Sequence, residues 1–211
     1  MGFIAEKKGG NFTPPLPGMH IGRCYRLIDM GTQPKSFQGK QTGEARKIMA
    51  GFELLGEDRM PDGKPFVLSK SWFLSMHEKA SLRKDLESWR GKTFTHEEES
   101  AFDVSKLLGA YCTLNVIEET GQDGNTYTRI ASISPMMKGL AKPEPVNPNV
   151  IFDADEPDMA LFETFSDKMK DTINACREWR TKRAGGRPAT TATGPAPAGG
   201  GMSDMDDDIP F

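Results

Sequence analysis

The 211-residue chain predicts a mainly β domain, a five-stranded barrel with a helical insertion, followed by a C-terminal amphipathic helix and a disordered acidic tail. Three observations lead there. Stretches rich in β-branched and aromatic residues recur between Gly-containing loops. Helix-capping signals and a short apolar helical spacing follow the third such stretch, and a longer apolar stripe at helical spacing appears beyond residue 158. No run approaches the roughly 18 apolar residues of a membrane span, and the first residues lack a basic-then-apolar leader, so a cytoplasmic location is expected.

Residues 1–18 contain Pro14, Pro15 and Pro17 among Gly and Lys and read as a flexible N-terminal arm. Residues 20–30 have strand composition. In residues 45–55, Ile48, Ala50, Phe52 and Leu54 alternate onto one face, as a half-buried second strand requires. Asp62 and Gly63 mark a turn into a third strand over residues 65–75. Ser75 with Glu78 gives a capping-box spacing, Leu82, Leu86 and Trp89 follow at i, i+4 and i+7, and Gly91 stands where a left-handed cap ends a helix. Thr95 and Glu98 repeat the box, and a short turn ends at Gly109. Cys112, Leu114 and Val116 then point one way and Tyr111, Thr113 and Asn115 the other, with residues 127–134 as hairpin partner across Asp123 and Gly124. Three strands, a helical insertion and two strands are the chain order of the OB-fold, here spanning residues 19–142.

Residues 143–183 form an acidic connector and an amphipathic helix opened by Asp155 and Pro157. Phe162, Phe165, Met169, Ile173 and Cys176 make its apolar stripe. The stripe is expected to pack on the chain's own barrel, a homo-oligomer contact being the alternative. Residues 184–202, built mainly from Gly, Ala, Pro and Thr, offer no large apolar side chain to offset ordering entropy and read as a disordered linker. Residues 203–211 carry four Asp and no base.

Charge is divided along the chain. Lys and Arg lead Asp and Glu by 18 to 16 between Met19 and Lys142, and trail them 5 to 9 between Pro143 and Lys182. Such asymmetry suits nucleic acid at one end and protein at the other. Cys24, Cys112 and Cys176 are an odd, widely spaced set that His20, His77 and His96 do not complete into a zinc site, so no disulfide framework, metal or cofactor is expected. No Walker loop, nucleophile elbow, paired-histidine helix or dinucleotide turn is present, and no enzymatic activity is expected.

The chain ends Asp204, Met205, Asp206, Asp207, Asp208, Ile209, Pro210, Phe211. Phe211 presents a ring and the terminal carboxylate together, so an apolar pocket beside an Arg or Lys can hold both. Pro210 restricts the backbone and lowers the entropy lost on docking. The final six residues, DDDIPF, resemble the C-terminal tip of bacterial single-stranded DNA-binding proteins, and the segments SLRKDLESWRGKTFT and FDVSKLLG resemble OB-fold single-stranded DNA-binding proteins of tailed phages. Together these resemblances imply a phage-type core carrying a host-type tip, acting in the host cytoplasm. They imply a protein that coats and protects single strands in replication, recombination and repair, and recruits partner enzymes through Asp204, Asp206, Asp207, Asp208, Ile209, Pro210 and Phe211. An adaptor or decoy that captures host genome-maintenance proteins is the alternative.

Non-specific single-strand binding needs cations along the phosphates and aromatic faces for the bases. The expected groove draws on Arg23, Tyr25 and Arg26 of the first strand, Arg46 and Lys47 of the second, and Lys70, Trp72 and Phe73 of the third. Tyr111 of the fourth and Tyr127 and Arg129 of the fifth complete it. Trp72 and Phe73 must face opposite ways. Trp72 is expected to be the exposed one, because Lys70 shares its face, and single strands are expected to quench tryptophan fluorescence. Phe52 and Trp89 are expected in the core, and Lys35 and Lys40 in a loop able to close over the strand.

Overall fold

The computed structural model describes residues 14–37, 39–100, 102–121 and 124–183. Most of the expected N-terminal arm, the 184–202 linker and the 203–211 tip lie outside the described residues. The strands are β1 (Gly18–Phe37), β2 (Lys40–Leu54), β3 (Val67–Phe73), β4 (Tyr111–Thr120), β5 (Thr126–Ser134) and β6 (Val150–Phe152). The helices are α1 (Ser81–Arg90), α2 (His96–Ser100), α3 (Met159–Glu163), α4 (Asp167–Asn174) and α5 (Arg177–Arg183), with a 3-10 turn at Val104–Leu107. The chain is mainly β, with helices between the third and fourth strands as the sequence predicts.

One antiparallel sheet runs in the order β3-β2-β1-β4-β5, and β6 adds to β1 in parallel. β1 serves two partners on one edge because it bends. Register shifts between Cys24 and Arg26 and between Asp29 and Thr32 turn the strand. Its first part, Gly18 to Arg23, therefore pairs with β4, while Arg26 to Ile28 pairs with β6.

The expected closure into a barrel is corrected. β3 and β5 approach one another, yet no ladder joins them among the described residues. Helix α1 occupies the seam between them. Its Asp85 accepts the Trp72 indole N–H from β3 at 2.6 Å, and its Ser88 hydroxyl donates to the Ile133 carbonyl of β5 at 2.6 Å.

Two cores result. Cys24, Leu27, Ile48, Ala50, Phe52, Leu54, Cys112, Leu114, Val116, Ile130 and Ile133 turn inward and meet Leu82, Leu86 and Trp89 of α1. At about 1.5–3 kcal/mol for each large apolar side chain buried, this cluster dominates the favourable side of folding. The expected Ser75–Glu78 capping box is not used. Helix α1 starts at Ser81 behind Ala80, which provides no side-chain cap, while the Ser75 hydroxyl accepts the His77 N–H at 3.3 Å in the preceding turn. Gly91 does end the helix in the left-handed region, at φ 67°. Thr95 and Glu98 form their box, each side chain accepting the other's N–H, at 3.3 and 3.1 Å.

The second core lies on the opposite face of β1 and β2. Ile28, Met30 and Met49 meet Phe152 of β6 and the stripe Phe162, Phe165, Met169, Ile173 and Cys176, joined by Trp179. The stripe therefore packs on its own chain. It is carried by α3, α4 and the turns that follow each rather than by the expected single helix, because Asp158 and Ser166 each cap a fresh N-terminus, at α3 and α4. No helix among the described residues is long and apolar enough to cross a membrane.

Candidate nucleic-acid interface

The β2–β3 ladder sorts the candidates by face. Ile48, Ala50 and Phe52 lie opposite Trp72, Lys70 and Leu68, on the side of the first core. Lys47, Met49 and Gly51 lie opposite Phe73, Ser71 and Ser69, on the other side.

The expectation for Trp72 is thereby corrected. Trp72 does share a face with Lys70, but that face is the inner one: Trp72 is 1% exposed. Its indole donates to Asp85, whose same oxygen lies 2.9 Å from Lys70 Nζ. Lys70 marks the buried face because α1 brings it a carboxylate there. Phe73 is the half-exposed member of the pair.

Phe73 is the centre of what the open face offers. The Lys35 and Lys47 ammonium groups lie 5.2 and 5.6 Å from its ring centroid, within cation–π range. Ser69 and Ser71 continue the row toward Gly51, leaving small side chains beside the ring. Lys35 is not in a loop as expected. β1 runs on past it, and Lys35 pairs with Gly43 across the ladder before the turn at Gly39. The sequence signal for this extension is the turn-forming Gly39 between two strand-compatible flanks.

Tyr25 and Arg26 sit over Gly51. A Cβ on Gly51 would lie 3.1 Å from Arg26 Nε and 3.5 Å from Tyr25 Cε1. The Arg26 guanidinium carbon is 5.6 Å from the Tyr25 ring centroid, and its Nε is buried without an acceptor among the described residues. Tyr25 itself is buried, and burial pushes its phenol above the usual range, so it supports Arg26 rather than offering a free ring.

Other candidates are committed elsewhere. Arg23 is buried, with Nη1 2.7 Å from the fully buried Glu53 carboxylate, and it also donates to the Asn147 carbonyl at 3.0 Å and to Asn149 Oδ1. Asn147 returns two bonds to Glu53 Oε2, each 2.8 Å. Arg23 is therefore corrected from a groove cation to an internal clamp that fastens the connector to the sheet. Arg46 pairs with Asp29, with Asp155 at 2.7 Å and with Asp153 at 3.6 Å, so its charge is balanced locally.

Tyr111 is half-buried. Its hydroxyl donates to the Pro143 carbonyl at 2.7 Å, and Lys142 Nζ lies 5.4 Å from its ring centroid, so the connector crosses it. Tyr127 and Arg129, two residues apart on β5, share a face away from Ile130, and Arg129 pairs with Glu119 across the hairpin. The geometry thus brings together Phe73, Lys47 and Lys35, while Tyr25 and Arg26, over Gly51, are separated from them on the same face by Met49, which the second core covers. It leaves Tyr111, Tyr127 and Arg129 on β4 and β5 and removes Arg23, Lys70 and Trp72 to the interior.

Among the described residues no group of three or more His, Cys, Asp or Glu is placed to hold a metal ion. The three cysteines are free and buried, and burial pushes the Cys24 thiol up to about 12. No family model matches the chain, and no curated protein matches it.

Proposed function

We propose that the chain is a non-sequence-specific single-stranded DNA-binding protein built on an OB-type, partly open sheet, which coats single strands and recruits partner enzymes through its DDDIPF end. The observation that carries this reading is Phe73 on the open face with Lys35 and Lys47 at its ring. A base stacked on one aromatic face is worth about 1–3 kcal/mol whatever its identity, and the ammonium groups over the Phe73 ring can swing to the adjoining phosphates as a base takes their place. The small Ser69 and Ser71 let a flat base approach. Arg26 adds a cation further along the face, its Nε lacking a protein acceptor among the described residues.

The tip supplies the second half of the reading by sequence alone. Its four Asp steer toward basic surfaces, while Phe211 provides an aromatic ring for an apolar pocket. Resemblance to the bacterial tip and to phage OB-fold proteins supports the same assignment.

The test is a fluorescence-anisotropy titration of labelled oligo-dT and of a matched duplex with the full chain. Tighter binding of the single strand is expected, with log K falling by about 0.7 per phosphate neutralised as log salt rises. Preference for the duplex would contradict the reading. Absence of DNA binding, with capture of host proteins that depends on residues 203–211, would favour the adaptor alternative.

A further inference from the structure

We propose that Arg26, lying over Gly51, forms with Ser69 a phosphate site of its own on the outer face, separate from Phe73. The inference rests on the single-strand reading above and names a contact, a phosphate of the strand, that this reading leaves without a place.

The ladders set the site in a furrow. On the face opposite the first core, Val150, Arg26, Gly51 and Ser69 form one row across β6, β1, β2 and β3. The next row on one side holds Phe152, Ile28 and Met49, all buried beneath the helical layer of α3, α4 and α5. The next row on the other side holds Arg23 and Glu53, buried where Asn147 and Asn149 of the connector bond to them. Between these two covered rows Arg26 and Ser69 are half-exposed. Phe73 is not part of the furrow, since Met49 and its cover stand between.

Gly51 gives the arginine its position. A Cβ there would lie 3.1 Å from Arg26 Nε and 3.3 Å from Arg26 Cβ, so Arg26 lies over β2 because the residue beneath it has no side chain. Ser69, two strands away and therefore about 10 Å from the Arg26 backbone, adds a hydroxyl on the same face.

What marks Arg26 is the acceptor it lacks. Every other arginine among the described residues reaches an oxygen of the protein. Arg26 reaches none, and its Nε is buried. The adjacent Arg23–Glu53 pair is closed on itself, so no carboxylate there balances the charge of Arg26. A guanidinium left without acceptors in a half-buried place carries a desolvation cost that a bound anion relieves. With Nε buried and the residue half-exposed, the terminal nitrogens are the open edge of the group. That edge is a planar fork matched to two oxygens of one phosphate, and a serine hydroxyl can donate to a third. Such a contact carries no base identity, as non-specific coating requires.

The experiment is an anisotropy titration of labelled oligo-dT and oligo-dC across a salt series, with the full chain and its variants. Arg26→Ala is expected to weaken both oligonucleotides by the same factor, about tenfold at low salt, and to make the slope of log K against log salt shallower by about 0.7, one phosphate. Arg26→Lys keeps the charge without the fork and is expected to retain the slope but only part of the affinity. Gly51→Ala is expected to weaken binding, and to add nothing in the Arg26→Ala background, because both changes act through one contact. Ser69→Ala is expected to cost about threefold. Phe73→Ala, the control, is expected to weaken binding with the slope unchanged. A second arm compares thermal midpoints in inorganic phosphate and in chloride at equal ionic strength, for the unaltered chain and Arg26→Ala.

An unchanged slope in Arg26→Ala, with binding weakened in Phe73→Ala, would overturn the site and leave the single-strand reading standing. Losses that add between Gly51→Ala and Arg26→Ala would show that Arg26 is not placed by Gly51 for this contact, and would also overturn it. Failure of the unaltered chain to bind either oligonucleotide, with inorganic phosphate raising its midpoint but not that of Arg26→Ala, would remove the strand as the source of the phosphate and keep the site. Neither response would remove both readings.

Discussion

Asp85 accepts the indole N–H of Trp72 at 2.6 Å, tying helix α1 to strand β3 where the sheet leaves its seam open. The same carboxylate balances Lys70, whose side chain is 11% exposed. Removing it as Asp85→Ala strands a nearly buried cation and an indole donor at once. A loss of about 2–4 kcal/mol is expected, read as a lower urea midpoint. Asp85→Asn, which keeps an acceptor for the indole, is expected to lose less. Equal stability of Asp85→Ala and the unaltered chain would contradict this role.

Phe73→Ala is expected to weaken oligo-dT binding by about 1–3 kcal/mol, the worth of one stacked base, with little change in melting temperature. The tryptophans report on this only indirectly. Trp72, Trp89 and Trp179 are 1%, 7% and 8% exposed, so quenching by stacking, expected from sequence, is not expected from the structure. Phe73→Trp places an indole on the open face, and its emission is expected to fall on adding oligo-dT. Strong quenching in the unaltered chain and none gained in Phe73→Trp would contradict the placement of the site.

The five main strands and α1 were legible because each carries a local signal: periodicity in β2, β4 and α1, and strand composition or turn residues in the others. Ile48, Ala50, Phe52 and Leu54 alternate, and Leu82, Leu86 and Trp89 recur as one helix face, and all are buried as that pattern requires. The orientation of the third strand was not legible. Parity gives two faces, and contacts remote in sequence, the pairing with Ile48 of β2 and Asp85 13 residues away, decide which of them is inside. Arg23 misled for the same reason, since Glu53 and Asn147 reach it from 30 and 124 residues away. β6 is too short for periodicity and lies in a Pro-rich segment, where only its pairing with β1 makes it a strand.

Gly31→Ala is expected to loosen the helical layer. Gly31 has φ 69°, and a Cβ there would lie 2.7 Å from Cys176 Sγ and 2.9 Å from Glu178 Oε2. Backbone strain of about 1–2 kcal/mol adds to overpacking of about 1–3 kcal/mol. Cys176 is expected to react with a thiol reagent much faster in this variant, while Cys24 and Cys112 stay protected in the other core. Unchanged labelling of Cys176 would contradict the packing described.

Acid is expected to release the same layer. Burial pushes the Glu178 carboxyl up, but the Thr32 hydroxyl and N–H outweigh this and hold it down at about 2. A carboxyl lowered in the folded state stabilises fully above its unfolded value, 4.5, and loses that contribution as pH falls toward 2. Between those limits the urea midpoint of the unaltered chain is expected to fall more steeply than that of Glu178→Gln. Parallel pH profiles would contradict the assignment.

Photocrosslinking of oligo-dT to the full chain, followed by mapping of the adducts, tests the central claim most directly. The account predicts that adducts concentrate on the peptide spanning residues 71–79, with fragment ions placing the modification on Phe73, and that unlabelled duplex competes poorly. Crosslinks confined to other peptides, or no complex with oligo-dT at all, would contradict it.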